Sequence, residues 1–435
     1  MFDFSAKRLI LATLICSATA ASAQNGRSNK EVDPYSRYGY GMPMTGTNVS
    51  LRGMGYASTA FSSSTAVNPD NPASYSALKF TTYEAGVTGS MANLINDNTS
   101  YHTSSANLAY LRLGIPIGKK GGISLGLAPM SHVFYHSSDS ASAFRIERPG
   151  GDTTYWNRTV NDHTGEGGLS YLYLGAAYRI GLFSIGANFG YSFGNIAYTS
   201  KQLNADSTHV LSSSFTSITN YGGIYWKGGI QFHDTIGSFH LRLGATATLS
   251  QDLNGKQQAI YSSILTLGPS SEIDDTVYHA DGAKGKMTIP ASYAFGAQIS
   301  RSNWSVAADY TITNWSQFRN YDKPDSLRDK TFRLNVGAEF TPDPTNLYNY
   351  VSRISYRIGF YYGTDYVQLR NQDMHYYALT LGTSLPFKRT SDRIHMAVEL
   401  GRRGTENSGL VLENFYRFHF GLSLNDKWFI KKRYD

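Results

Sequence analysis

Residues 181–193 read GLFSIGANFGYSF, and every second position is bulky or apolar. Phe183, Ile185, Ala187, Phe189, Tyr191 and Phe193 form one set. Ser184, Gly186, Asn188, Gly190 and Ser192 form the other. A period of two is a β-strand, which places the two sets on opposite faces. In a soluble sandwich the apolar face packs inward on a core. In a membrane barrel it faces lipid, and the small polar face lines the lumen. One strand does not choose between these.

The other strands do, because their polar face carries charge. Phe332, Leu334, Val336 and Phe340 alternate with Arg333, Asn335, Gly337 and Glu339. Ile354, Tyr356, Ile358 and Phe360 alternate with Arg353, Ser355 and Arg357. Ile394, Met396, Val398 and Leu400 stand against His395, Glu399 and Arg403, and Tyr416, Phe418 and Phe420 against Arg417 and His419. About fourteen such segments begin near residues 80, 104, 121, 166, 183, 216, 237, 285, 303, 330, 350, 374, 392 and 411. Short connections (118–122, 181–182, 233–237, 301–303) are interleaved with long ones (137–165, 200–215, 252–284) rich in Ser, Asp, Asn and Gly. Outer-membrane barrels show this alternation of turn length and an even strand number. The pattern predicts an all-β, transmembrane antiparallel barrel over residues 80–435, in the outer membrane of a Gram-negative bacterium, with both termini on the periplasmic, short-turn side. Mean hydropathy is −0.32, and the absence of an apolar run of about 18 residues argues against a membrane helix. An arginine at the lipid midplane costs about 2–4 kcal/mol. Arg333, Arg357, Glu399 and Arg417 are therefore expected to face the lumen and pair.

The chain opens on a leader pattern, residues 1–23. Lys7 and Arg8 precede an apolar stretch, and Ala21–Ala23 form a small-residue cleavage site before Gln24. Cys16, the one cysteine of the chain, lies inside this leader behind Ile15, a poor context for lipidation. The mature chain then has no thiol for disulfides or thiolate metal sites. Residues 24–79 do not alternate and are dominated by small residues. They are expected to form a hatch or plug inside the lumen, the alternative being a disordered periplasmic tail. The net charge of +7 is diluted over tyrosine-rich strands, and without a dense basic block it does not indicate a nucleic-acid partner.

Two stretches are similar to the FadL family of hydrophobic-compound transporters. One is NPDNPASYSAL (68–78), with Asn71, Pro72 and Ala73 at the family's tripeptide. The other is MTIPASYAFGAQISRSNWSVAADYTITNWSQF (287–318), with Pro290, Ser292, Trp304, Asp309, Tyr310, Thr311, Trp315, Ser316 and Phe318 at its strand motif. The resemblance covers the mature chain in layout and these stretches in residues. It implies a fourteen-strand barrel with an N-terminal hatch, and sideways release of apolar substrates through a gap beside a kinked strand. Pro129 interrupts the third segment, and proline is confined to edges and bulges. It is the candidate for that kink.

Gly-x-Ser-x-Gly occurs twice, around Ser124 and Ser192, but inside alternating strands with no helix following, so no nucleophile elbow forms. His240, His395 and His419 share the lumen phase without metal-ligand spacing. Glu272, Asp274 and Asp275 lack an EF-hand pattern. No enzyme activity, cofactor or metal is expected. The charges Asp309, Arg333, Glu339, Arg353, Arg357, Glu399, Arg403, Glu413 and Arg417 crowd one side of the lumen. A substrate tunnel is expected opposite, beside Thr88, Gly114, Ser124, Gly126, Tyr171, Tyr173, Gly186 and Gly190. Two functions follow: diffusive uptake of fatty-acid-like or aromatic molecules with lateral release, or a sealed barrel serving as scaffold or accessory subunit of an outer-membrane secretion or assembly complex. The expected partners are outer-membrane lipid and, by function, apolar small molecules or other outer-membrane proteins.

Overall fold

A computed structural model describes residues 32–428, apart from 97–98, 148–153, 205–210, 269–270, 347 and 389. The expected leader and Cys16 lie outside the described residues. Fourteen wall strands follow one another. They are β1 (Thr81–Asn96), β2 (Thr99–Ile117), β3 (Gly121–Pro129, then Ser131–Glu147), β4 (Thr154–Ile180), β5 (Phe183–Asn204), β6 (Ser212–Ile236) and β7 (Phe239–Thr248, then Gln251–Gly268). They continue as β8 (Ser271–Ile289, then Ser292–Arg301), β9 (Trp304–Thr313), β10 (Thr331–Phe340), β11 (Ser355–Leu369), β12 (Gln372–Pro386), β13 (Arg393–Gly404) and β14 (Leu412–Asp426). Each pairs antiparallel with the next. β14 then pairs with β1, from Leu412 opposite Ile95 to Asp426 opposite Thr81. The sheet closes, which removes the edges that an open sheet leaves unpaired.

The phase read from the sequence sets the two faces. Phe189 is 61% exposed and Phe418 50%, while Ser184, Ser192 and Thr380, which face the other way, are buried. The closed wall thus turns its aromatic and aliphatic side chains outward, a surface that hydrocarbon solvates and water does not. At the short-turn end the outward rings pair: Phe183 with Phe232 at 5.2 Å, Phe239 with Trp304 at 6.2 Å, Tyr83 with Trp428 at 5.8 Å. Such rings suit the membrane–water boundary.

Three expected long loops turn out to be mostly strand. Ser137 pairs with His163 and Tyr261 with Tyr278, deep inside segments expected to be irregular. Ladder hydrogen bonds are made by backbone and do not need an apolar face. Where a hairpin stands beyond the apolar belt, both faces are polar and the period-two signal vanishes.

Candidate functional site

The described chain starts inside the barrel at its loop end. The Val32 N–H donates to Thr103 Oγ1 (2.9 Å) and the Asp33 N–H to the Phe134 carbonyl (2.9 Å). Tyr35 donates its hydroxyl to the Val411 carbonyl and accepts the Val411 N–H, at 2.7 and 2.8 Å. Asp426, in contrast, lies at the turn end opposite Thr81. Residues 32–80 thus run from the loop end to the turn end before entering β1, and both termini, expected on the short-turn side, lie outside the described residues.

Wall residues hold this segment throughout its descent. Asn48 caps a one-turn helix, Val49–Arg52, by accepting the Ser50 N–H (2.8 Å), and donates to Glu84 (2.9 Å). Arg52 donates to the carbonyls of Thr47 (2.9 Å) and Thr45 (3.0 Å) and to Thr88 Oγ1 (2.9 Å). Gly55 has φ +66°, and a β-carbon there would lie 2.6 Å from the Val336 carbonyl oxygen, so only glycine lets the backbone lie against the wall. One oxygen of Asp309 accepts the N–H groups of Ser58 (2.6 Å) and Thr59 (2.7 Å).

Asn71, Pro72 and Ala73 now have a local role. The Asn71 amide donates to the carbonyls of Thr59 (2.7 Å) and Ile230 (3.1 Å), tying the segment to β6. Its Oδ1 accepts the Ala73 N–H (3.1 Å) and caps a 3-10 turn over Pro72–Ala77. Proline suits the first turn because its φ is already helical and no N–H is needed there. The next turn carries Tyr75, fully buried, whose hydroxyl donates to Asn188 Oδ1 (2.9 Å). Small inward residues on β2–β5 receive this turn instead of lining a tunnel. A β-carbon at Gly122 would sit 2.1 Å from the Tyr75 carbonyl oxygen, one at Gly186 2.6 Å from Pro72, and one at Gly114 2.6 Å from Val67. The space beside Gly114 and Gly186 is occupied by residues 67–78, while Thr88 and Tyr171, also expected beside a tunnel, line an open cavity.

The charges on the opposite side form a network. Glu399 accepts from Tyr56 (2.7 Å), Tyr361, Arg417 (3.1 Å) and His419 (3.2 Å). Arg357 bonds Glu339 (2.5 Å) and Ser384. Arg403 pairs with Asp365 and Asp33 (2.8 Å). Among the described residues Arg333 has no carboxylate within ion-pair distance. Its guanidinium lies over the rings of Tyr361 (4.3 Å) and Tyr56 (4.7 Å), a cation–π contact, while Nε donates to Asn335 (2.8 Å). Arg353 belongs to a 3-10 turn before β11 and lies over Tyr350. His395 is bonded to Ser384 and Ser423, and His240, exposed at the start of β7, bonds Thr235 across the turn. Among the described residues no three His, Cys, Asp or Glu converge as metal ligands. Ser124 and Ser192 lie within strands. The sequence reading missed Tyr56, Asp33 and Asp365. Tyr361 shares the phase of Arg357 and was recoverable from it.

Two strands break where proline stands. In β3 the lower run, ending at Pro129, pairs with both neighbours, but pairing with β2 stops at Leu127. The upper run pairs with β4 and with Met42–Pro43 of the lumen segment. Met130 donates to the Leu169 carbonyl (2.7 Å) and accepts from the Met44 N–H (2.9 Å). In β8, Pro290 separates the two runs. Trp315, beyond β9, stacks on Tyr366 (4.8 Å) and on Tyr40 of the lumen segment (5.4 Å). Between segment and wall a cavity of about 450 Å³ remains. Arg52, Asp70, Lys227 and Arg403 line it together with Tyr40, Met44, Met130, Tyr225, Trp315 and Phe415, so its surface mixes charged and apolar groups.

No curated protein matches this sequence. Among solved structures, the toluene transporter TodX of Pseudomonas putida superposes with a TM-score of 0.55 at 14% identity, over 89% of this chain and 99% of its own. A FadL homologue of Pseudomonas aeruginosa superposes with a TM-score of 0.58 at 12% identity, over 90% of this chain and 100% of its own. At these identities the likeness concerns the fold. A family model described as BamG matches residues 5–435, which spans the wall and the lumen segment; the chain belongs to the BamG family.

Proposed function

We propose that this protein is a sealed FadL-like barrel of the outer membrane, with residues 32–80 as its hatch, and that it serves as a scaffold or accessory subunit of an outer-membrane assembly or secretion complex. One observation carries this reading: the small-residue side of the lumen, the natural place for an apolar tunnel, is taken by Val67, Pro72 and Tyr75 at contact distance. The cavity that remains places Arg52, Lys227, Arg333 and Asp70 among its apolar and aromatic lining residues. An apolar molecule entering it would have to strip the waters or partners from those four charges, which costs energy. In this reading the short-turn end, where Asp426 lies, faces the periplasm.

The break after Pro129 favours a second reading, diffusive uptake of apolar molecules with lateral release beside β3. Liposome uptake of a radiolabelled long-chain fatty acid and of toluene separates the two, together with purification in mild detergent. The sealed reading expects uptake no faster than in protein-free liposomes, and a stoichiometric outer-membrane partner on purification. Protein-dependent uptake that Pro129→Val abolishes would replace it with the transport reading.

A further inference from the structure

On the outward face of β6, the apolar series Ile230, Trp226 and Ile224 gives way to Gly222 and Asn220 on rising toward the loop end. The register carries this boundary across the neighbouring strands. Gly222 lies opposite Asn254, and Asn254 opposite Lys286. One outward rung higher, Asn220 lies opposite Lys256, and Lys256 opposite Lys284. Lys256, Lys284 and Lys286 are exposed, whereas Leu253 and Met287, of the opposite phase, are buried in the lumen. Three ammonium groups thus stand on the outer wall in the first two outward rungs above Ile224, below Ile218 and the exposed rings of Tyr261 and Tyr278.

Their charge is poorly compensated within the protein. Lys286 reaches Asp252 at 3.6 Å, with both side chains about half exposed. Lys256 and Lys284 face each other directly, and among the described residues neither has a carboxylate within ion-pair distance. The next carboxylate above, Asp281, lies opposite Gln258 and 3.8 Å from His279. Like charges directly opposite on a ladder are destabilising, and cross-strand neighbours lie only about 5 Å apart, diagonal ones about 7–8 Å. An anion held among the three would turn this repulsion into attraction. The level selects the anion: it is where the headgroups of lipids lie when their acyl chains cover Ile224 and Trp226.

We propose that Lys256, Lys284 and Lys286 form a binding site for the phosphorylated sugar headgroup of an outer-leaflet glycolipid, with the amides of Asn220 and Asn254 beside it for sugar hydroxyls. The inference rests on the membrane reading, with the loop end outside, and is independent of whether the barrel transports. It is tested on the full chain in phosphatidylcholine nanodiscs, with phosphoryl lipid A as probe. Native mass spectrometry is expected to show retention of phosphoryl lipid A by the wild type, and about tenfold weaker retention by the Lys256→Gln/Lys284→Gln variant. Dephosphorylated lipid A is expected to bind the wild type as weakly as phosphoryl lipid A binds the variant. Without added probe the variant is expected to unfold at the same temperature as wild type or higher, since its like-charge contact is gone. That measurement separates loss of the site from loss of the fold. Equal retention of phosphoryl lipid A by variant and wild type would overturn the site. Equal lysine-dependent binding of phosphatidylglycerol, or equal stabilisation by inorganic phosphate, would overturn the glycolipid assignment.

Discussion

Asp309 belongs to the strand motif that resembles the FadL family, and its work here is to hold the backbone of Ser58 and Thr59. Asp309→Ala leaves two buried N–H groups without an acceptor, at about 1–3 kcal/mol each. Its thermal unfolding temperature should fall clearly below wild type, with Asp309→Asn, which keeps one acceptor oxygen, in between. Equal unfolding of all three would remove the clamp from the account. Glu399 is a second test. It gathers Tyr56, Tyr361, Arg417 and His419, and stripping one partner from a buried ion pair costs about 3–5 kcal/mol. Glu399→Gln should therefore destabilise strongly, and adding Arg417→Gln should cost less than the two single effects summed, since each single change already removes the attraction between the two. A strictly additive double-mutant cycle would show that the two do not act as a pair. The facing of Glu399 and Arg417 was readable from alternation. That Tyr56 would reach Glu399 was not, because the two are 343 positions apart and meet only across the lumen.

At the scale of elements, the 3-10 turn Pro72–Ala77 and the small residues of β2–β5 are complementary surfaces. Gly122→Val puts a branched side chain where the Tyr75 carbonyl lies, 2.1 Å from the first added atom. The wall strands around it bury no new group on their outer face, so the barrel should still form. The lumen segment should be displaced. Reconstituted Gly122→Val is expected to gain protease sensitivity within residues 64–80 and a higher ion conductance than wild type. A variant as resistant and as silent as wild type would mean that the turn does not seal this side. The glycines were visible in the sequence, where they suggested an open channel. A glycine facing inward marks close approach by something, and only the folded chain shows whether that is a substrate or its own backbone.

At the scale of the whole molecule, one physical arrangement repeats around the wall, with hydrocarbon on one side and a polar lumen on the other. Single cysteines at Phe189 and Phe418 should react with a membrane-partitioned maleimide, while cysteines at Ser184 and Thr380 should stay protected until the barrel is unfolded. The reverse pattern would invert the wall. This arrangement is why the strand number, the facing of Arg357, Glu399 and Arg417, and the start of the wall near residue 80 were determined by the sequence alone: every wall strand meets the same two environments, so each repeats the same period of two. The tertiary structure decided the rest. It set which charge meets which, with Asp33 on Arg403 and Arg333 on two tyrosine rings, and it sent residues 32–80 through the lumen. It also extended the hairpins beyond the belt. These outcomes depend on the relative heights of strands joined only by closure of the sheet. Alternation along a single strand carries its phase but not its height, and where both faces meet water it carries neither.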